Sequence, residues 1–292
     1  MTDDPFVAHR SLLFTVAYEL LGSAADAEDT VQETWLRWDG IGAAGRAAVI
    51  DPRAYLVRVV SRQALNRLRT MARRREEYVG EWLPEPLLTT PDVAEDVELA
   101  ESVSIAMLTV LETLTPTERA VFVLREVFDL PFDEIADATG KSAASVRQIA
   151  HRARSHVAAR RPRMEVDRAE QRHAVDRFLG ALQSGDLQAL MDTLAPNAVL
   201  IADGGGIADA VRQPVIGAKK IANLLGGFAR VAPNAVIEQL LLNGAPGARV
   251  LLDGTVDTVI GFEFQLGRIS RVYAMRNPEK LHRMNELTRL SR

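Results

Sequence analysis

The stretch LPFDEIADATGKSAASVRQIAHRAR, residues 130–154, decides the reading of this chain. Its apolar spacing predicts a first helix over 132–138, then a tight turn at Thr139-Gly140-Lys141, with Gly140 free to take positive φ. Ser142 is placed to cap a second helix. On that helix Val146, Ile149, Ala150, Ala153 and Val157 follow the i, i+3, i+4, i+7, i+11 spacing of one buried face. The opposite face carries Ala144, Arg147, Gln148, His151 and Arg154, with Arg152 at its flank and Ser145 near its start. This is a helix-turn-helix whose second helix suits a DNA major groove. Arg and Gln there make paired hydrogen bonds to base edges, and the remaining Arg residues suit phosphates. A packed hairpin with a merely solvated face is the plain alternative. No acid lies between Ser142 and Arg163, which argues against it, because solvated faces usually mix signs.

Outward from this stretch, charge falls in blocks. Residues 53–75 hold eight Arg and no acid, 76–101 hold nine acids and no Lys or Arg, and 141–163 hold one Lys, six Arg and two His without an acid. From Glu165 onward, 14 acids nearly balance 15 bases. Two cationic surfaces joined by an acidic tether, then a balanced domain, fit that pattern better than a net charge of -4 suggests. Residues 5–75 read as helices: Leu12, Leu13, Val16, Ala17, Leu20 and Leu21 form one stripe ending at Gly22. Ser23 caps the next helix, whose expected apolar stripe is Ala27, Val31, Thr34, Trp35 and Trp38. Asp51-Pro52 opens a third helix carrying Leu56, Val60, Leu65 and Leu68. Residues 76–101, with Pro84, Pro86 and Pro91, read as a linker, and 102–162 are helical again. After a helix at 168–183 and a short helix, strand-like runs follow at 198–202, 235–242, 248–252, 255–264 and 268–275, with one helix-like segment at 218–231. The expectation is a multidomain chain: two all-α domains, 1–75 and 102–163, the linker 76–101 between them, and an α+β domain at 164–292. A length of 292 residues with 47% hydrophobic content supports real cores. The absence of Cys excludes disulfides, thiolate catalysis and Cys-ligated zinc. With an acidic start at Met1-Thr2-Asp3-Asp4 and no long apolar run, it points to the cytoplasm and to no membrane partner.

The helix after Ser23 displays Asp26, Asp29 and Glu33, with Glu28 and Gln32 beside them. Without a nearby His, or a cavity on a helix surface, a metal or acid-base role is weak. Compensation of the helix dipole or docking of a basic partner remain. At Asp-Ala-Glu-Asp-x-Val-Gln-Glu-x-Trp (26–35) the chain resembles region 2 of the extracytoplasmic-function sigma factors of bacterial RNA polymerase. Leu114-Thr-Pro-Thr-Glu-Arg119 together with the helix-turn-helix resembles region 4 of that family. The resemblance implies that Asp26, Glu28, Asp29, Gln32 and Glu33 dock on the β′ clamp of core RNA polymerase, with a second contact on the β flap. It implies that Arg58, Arg62, Asn66, Arg67 and Arg69 meet promoter DNA at the minus-ten element and its melted strand. Ser145, Arg147, Gln148, His151, Arg152 and Arg154 would read the minus-thirty-five element as double-stranded DNA.

Trp82-Leu83-Pro84-Glu85-Pro86, Asp203-Gly204-Gly205-Gly206 and Asn277-Pro278-Glu279-Lys280-Leu281 resemble the subgroup whose members carry a fused SnoaL-like domain, a relative of the NTF2-like α+β fold. That subgroup often has Lys after the glycine run, where this chain has Ile207. Trp82, Leu83, Pro84, Asp203, Gly204, Gly205, Gly206, Asn277, Pro278 and Lys280 are expected to form an intramolecular regulatory contact in which bare glycine backbone admits another surface. The domain would then stand in for a separate anti-sigma protein. An enzyme of this fold would want an Asp or His as general base. Asp203, Asp253, Asp257 and Glu263 are the carboxylates on offer, while His173 and His282 lie off the strands. No enzymatic activity, cofactor or metal is expected. Two other classes compete: a ligand-sensing helix-turn-helix repressor or activator, and an NTF2-like enzyme fused to a DNA-binding module. The first leaves the acidic 26–33 face and the second Arg-rich helix unexplained, and turnover lost on changing a pocket carboxylate would mark the second.

Overall fold

The computed structural model describes residues 4–160 and 167–292, and only the backbone of 72–76. The expected end of the second helical block at Pro162 and the 163/164 boundary lie outside the described residues. In chain order the elements begin with α1 (Pro5–Leu21), α2 (Ala24–Gly40), α3 (Gly42–Ala48) and α4 (Pro52–Glu76). The acidic tether holds β1 (Leu88–Thr89), α5 (Pro91–Glu95) and α6 (Val97–Val103), followed by α7 (Ile105–Leu111) and α8 (Pro116–Phe122). A π-turn (Val123–Val127) leads into α9 (Phe132–Thr139) and α10 (Ala143–Ala158). The remainder is α11 (Arg168–Ser184), α12 (Leu187–Thr193), β2 (Leu194–Asp203), β3 (Val215–Ile216), α13 (Ala218–Leu225) and α14 (Phe228–Val231). Strands β4 (Val236–Leu242), β5 (Ala245–Leu252), β6 (Thr255–Gln265) and β7 (Arg268–Met275), then α15 (Pro278–Leu281) and β8 (Leu287–Thr288), complete it.

These elements form two compact units that do not follow chain order. The helical unit comprises Met1–Glu77, Leu108–Arg160 and Arg289–Arg292. The α+β unit comprises Tyr78–Met107 and Arg161–Thr288.

In the helical unit, local chemistry sets the ends. Asp4 accepts from the Phe6 amide at the start of α1, and Gly22 closes that helix at φ 67. The Ser23 side chain accepts from the Asp26 amide, and Asp51 Oδ1 from the Ala54 amide. Thr115 and Glu118 make a reciprocal capping box on α8. Gly140 ends α9 at φ 68, and Ser142 caps α10 through the Ser145 amide. The core of α1, α2 and α4 includes Leu13, Leu20, Leu21, Ala27, Val31, Trp38, Leu56, Val60 and Leu65. Trp35 is a correction: it is 40% exposed, because the stripe of α2 turns away at Thr34 and resumes at Trp38. The helix-turn-helix of α9 and α10 buries Val146, Ile149, Ala150, Ala153 and Val157, as its spacing predicts.

The α+β unit is built on one eight-stranded sheet of order β3-β2-β7-β6-β5-β4-β1-β8. β2 runs parallel to β7 and β8 parallel to β1, and the other pairs are antiparallel. One face packs Phe262, Phe264, Ile269 and Val272 against Val175, Phe178 and Leu182 of α11. Residues of alternate pointing, Val259, Tyr273 and Met275, pack with Leu83, Ile105, Ala106, Leu281 and Met284. All five expected strands form: β2, β5 and β6 are longer than expected, β4 is one residue shorter, and β7 has the expected bounds. The helix-like run at 218–231 is two helices, because Gly226-Gly227 weakens it midway. The linker is also more ordered than its Pro and acid content suggests. Leu88 pairs with Leu242 and Leu287, so the tether supplies a strand to the sheet, and α5 and α6 follow it. Among the described residues no helix is long and apolar enough to cross a membrane.

Candidate promoter, polymerase and linker-binding sites

In the helical unit, α2 turns Asp29, Gln32 and Glu33 to solvent, with Asp26 and Glu28 half-buried. Asp26, Asp29 and Glu33 lie on one face of this helix and converge on a single guanidinium. Arg67 Nε donates to Asp26 Oδ1 at 2.6 Å, Nη2 to Asp29 Oδ2 at 2.6 Å and Nη1 to Glu33 Oε1 at 3.2 Å. Burial opposes the Arg67 charge, yet the Asp26 hydrogen bond and the three carboxylates hold its pKa above the ordinary value. Glu28 pairs with Arg10. Arg58, Arg62, Asn66 and Arg69 are exposed along α4 at i, i+4, i+8 and i+11, one continuous row. Arg67 departs from that row and faces the acids of α2.

On α10, Arg147, Gln148, His151, Arg152 and Arg154 are exposed, and Ser145 is half-buried at the first turn. Phe132 of α9 lies under the guanidinium of Arg147 at 5.6 Å and under that of Arg125 at 4.9 Å, which orients both. Arg154 is held by Glu126 of the π-turn, Nη2 to Oε1 at 2.7 Å and Nε to Oε2 at 3.2 Å. The acid missing from 142–163 in sequence is thus supplied in space by a neighbouring turn.

In the α+β unit the three hallmark segments meet at one carboxylate. Asp203 ends β2 and is fully buried. Its Oδ1 accepts from the Tyr78 hydroxyl at 2.6 Å and the Gly205 amide at 3.1 Å. Its Oδ2 accepts from the Leu83 amide at 2.9 Å and Lys280 Nζ at 2.7 Å. Lys280 Nζ also donates to the Leu83 carbonyl at 2.6 Å and stands 3.3 Å from the Trp82 ring centroid. Tyr78 packs edge-on against Trp82 at 4.7 Å. Asn277 Nδ2 donates to the Tyr78 oxygen, and Asn277 Oδ1 caps α15, which opens at Pro278. Pro84 is buried within the run 83–87.

The glycines follow from this crowding. A Cβ on Gly204 would meet the Ala208 carbonyl at 2.3 Å, and one on Gly205 the Asn277 amide at 2.3 Å. Gly206 faces Val79, and Ile207 is exposed. Burial, and then the Asp203 carboxylate, push the Tyr78 hydroxyl pKa well above the tyrosine range.

Sequence reasoning missed Tyr78 and a second clasp at Asn243. That side chain is buried, accepting from the Leu87 amide at 2.9 Å and donating to the Val103 carbonyl at 2.8 Å. Asn243-Gly244 signalled only a hairpin turn. Gly244 leaves room for the linker, since a Cβ there would meet Ala100 at 2.8 Å. The other carboxylates considered as bases have structural partners: Asp257 pairs with Arg276, and Glu263 bonds Tyr273, Ser270 and Arg271. Asp253 lies in the β5–β6 turn at φ 49. Among the described residues no cluster of three His, Asp or Glu is arranged to hold a metal ion.

Two family models match, "Sigma-70 region 2" over residues 6–75 and "Sigma-70, region 4" over residues 104–157. The chain is 37% identical over 290 residues to the ECF RNA polymerase sigma factor SigJ of Mycobacterium tuberculosis, covering 94% of this chain and 91% of that one. The chain belongs to the ECF RNA polymerase sigma factors. The probable ECF sigma factor SigI of the same species is 30% identical over 278 residues, covering 94% of this chain and 92% of its own. The crystal structure of Mycobacterium tuberculosis SigJ superposes with a TM-score of 0.75 at 34% identity, over 94% of this chain and 96% of that one. The likeness to these two sigma factors and to the SigJ structure thus runs through the α+β domain as well as regions 2 and 4.

Proposed function

We propose that this sigma factor directs promoter-specific initiation with the two halves of its helical unit and is regulated in cis by its α+β domain. In this reading the acidic face of α2 docks on the clamp of core RNA polymerase, and region 4 also touches the flap. The exposed row Arg58, Arg62, Asn66 and Arg69 meets the minus-ten element and its melted strand. Arg147, Gln148, His151 and Arg152 read the minus-thirty-five element, where Gln148 and Arg147 suit base edges and Arg152 a phosphate. Arg67 and Arg154, each committed to carboxylates, are support residues until a partner displaces those acids.

The observation that carries regulation in cis is the Asp203 clasp. A fully buried carboxylate spends its acceptor capacity on Tyr78, Leu83, Gly205 and Lys280, so the linker leaving region 2 is fastened to the α+β sheet. The same commitment supports a non-enzymatic domain, because a general base needs a free lone pair aimed at a substrate. The chain acts in the cytoplasm, and its fused domain does the work of a separate anti-sigma protein.

The test is run-off transcription with purified core polymerase, comparing the full chain with Asp203→Ala. The full chain starts transcripts at a defined site, and the variant, checked for folding by circular dichroism, changes output or promoter choice. Identical output and choice from both proteins would remove the regulatory claim.

A further inference from the structure

The four carboxylates of the α2 face each pair with an arginine from a flanking helix. Glu28 pairs with Arg10 of α1, and Asp26, Asp29 and Glu33 pair with Arg67 of α4. Arg67 gives each of its three acids a separate nitrogen: Nε to Asp26, Nη2 to Asp29 and Nη1 to Glu33. A rigid guanidinium fork can do this, whereas a lysine ammonium is a single point charge. The partners lie 34 to 41 residues apart in sequence, so the match is set by how α4 packs on α2 and by neither helix alone. The surface expected to attract a basic partner is therefore occupied by the chain's own cations.

The hold is one that a partner can break. The side chains of Asp29 and Glu33 are 59% and 51% exposed, and ion pairs this open to water are individually weak and screened by salt. Beside the guanidinium, between α2 and α4, lies an open groove of about 310 Å³ lined by Asp26, Glu33, Gln63, Asn66, Arg67 and Thr70. It has room for a second cationic side chain to approach the same acids, or for Arg67 to swing aside. With Arg67 in place, one positive charge is set against three negative ones. A basic partner then meets a weaker field and acceptor oxygens already in use.

We infer that Arg67 is a resident competitor for the polymerase-docking face: in the free chain its guanidinium holds the carboxylate oxygens that a basic group of core RNA polymerase takes over on docking. The inference rests on the docking role given to this face above. Docking is then an exchange of cations, with Arg67 leaving as the polymerase group arrives, and Arg67 lowers the affinity for core polymerase. This separates Arg67 from Arg58, Arg62 and Arg69, which stand exposed on another side of α4 and do not contact these acids.

The test is titration of purified core polymerase into the full chain, labelled at its N-terminus and followed by fluorescence anisotropy with no DNA present. Arg67→Gln binds core polymerase about fivefold more tightly than the wild type, the effect of freeing three exposed ion pairs. Arg67→Lys, which keeps the charge without the fork, falls between the two. Asp29→Asn combined with Glu33→Gln costs more core affinity in the Arg67→Gln background than in the wild type, a non-additivity that a purely structural Arg67 would not produce. An Arg67→Gln chain with native circular dichroism that binds core polymerase no more tightly than the wild type overturns the competitor. Should that variant lose its helical signal, Arg67→Lys binding no more tightly than the wild type overturns it equally. If the two acid substitutions leave wild-type binding unchanged, the docking role of the face fails instead, and the competitor with it.

Discussion

At the scale of single residues, the α+β unit depends on one buried charge pair. Asp203 and Lys280 are both inside, and the linker backbone at Leu83 bonds to each of them. Asp203→Asn leaves Lys280 buried without its counter-charge. It is expected to lower the unfolding free energy by about 3 to 5 kcal/mol in urea titrations. Replacing both by an Asn and a Met recovers part of that loss. Tyr78 gives a pH signature of the same clasp. Its folded pKa is raised, by burial and by Asp203, so its stabilisation is complete below the unfolded tyrosine pKa of about 10 and is lost as pH rises beyond it. Urea midpoints measured from pH 8 to 11 should fall for the wild type more steeply than for Tyr78→Phe; parallel curves would contradict the assignment. Trp82 was legible because an apolar Trp in an acidic tether asks for burial, and Lys280 only through the motif it shares with the sigma-factor subgroup. Tyr78 was not, since nothing local marks a tyrosine whose partner lies 125 residues away.

At the scale of elements, the helices were the most legible. α10 was readable in full because its cap, period and polar face are local: Ser142, the Val146 to Val157 stripe and the Arg-rich opposite side all lie within one segment. Its two kinds of contact separate experimentally. Gln148→Ala should relax base preference at one position of the minus-thirty-five element, at a cost of about 1 to 3 kcal/mol for the preferred base. Arg152→Ala should weaken all sequences alike and lower the slope of log affinity against log salt by about 1. Holoenzyme titrations on matched and mutated templates distinguish them, and a sequence-specific loss from Arg152→Ala would refute its phosphate role. The linker was the least legible element. β1 is a strand only because β4 and β8 flank it, and α6 ends at Ser104, whose extended ψ of 146 breaks it from α7. Arg67 entered the promoter-facing set through the family resemblance, which does not tell which acids it meets within the chain. Only the packing of α4 beside α2 places it on Asp26, Asp29 and Glu33.

At the scale of the whole molecule, charge is partitioned among separate surfaces although the net value is only -4. An acidic helix face and two Arg-bearing rows lie on the helical unit, and the acidic tether is folded into the α+β unit. The charge blocks were visible in a left-to-right reading, but the drawing of both compact units from discontinuous stretches of chain was not. Contact between distant segments depends on packing that no local pattern records. The division predicts that the chain adds a start-site choice that core polymerase lacks. The most direct measurement is mapping of transcript 5′ ends made by purified core polymerase with and without the full chain, on a pool of templates varied at both promoter elements. The account predicts discrete starts that appear only with the chain and vanish when either element is changed. Transcripts that are the same with and without it, or that ignore both elements, would contradict the account.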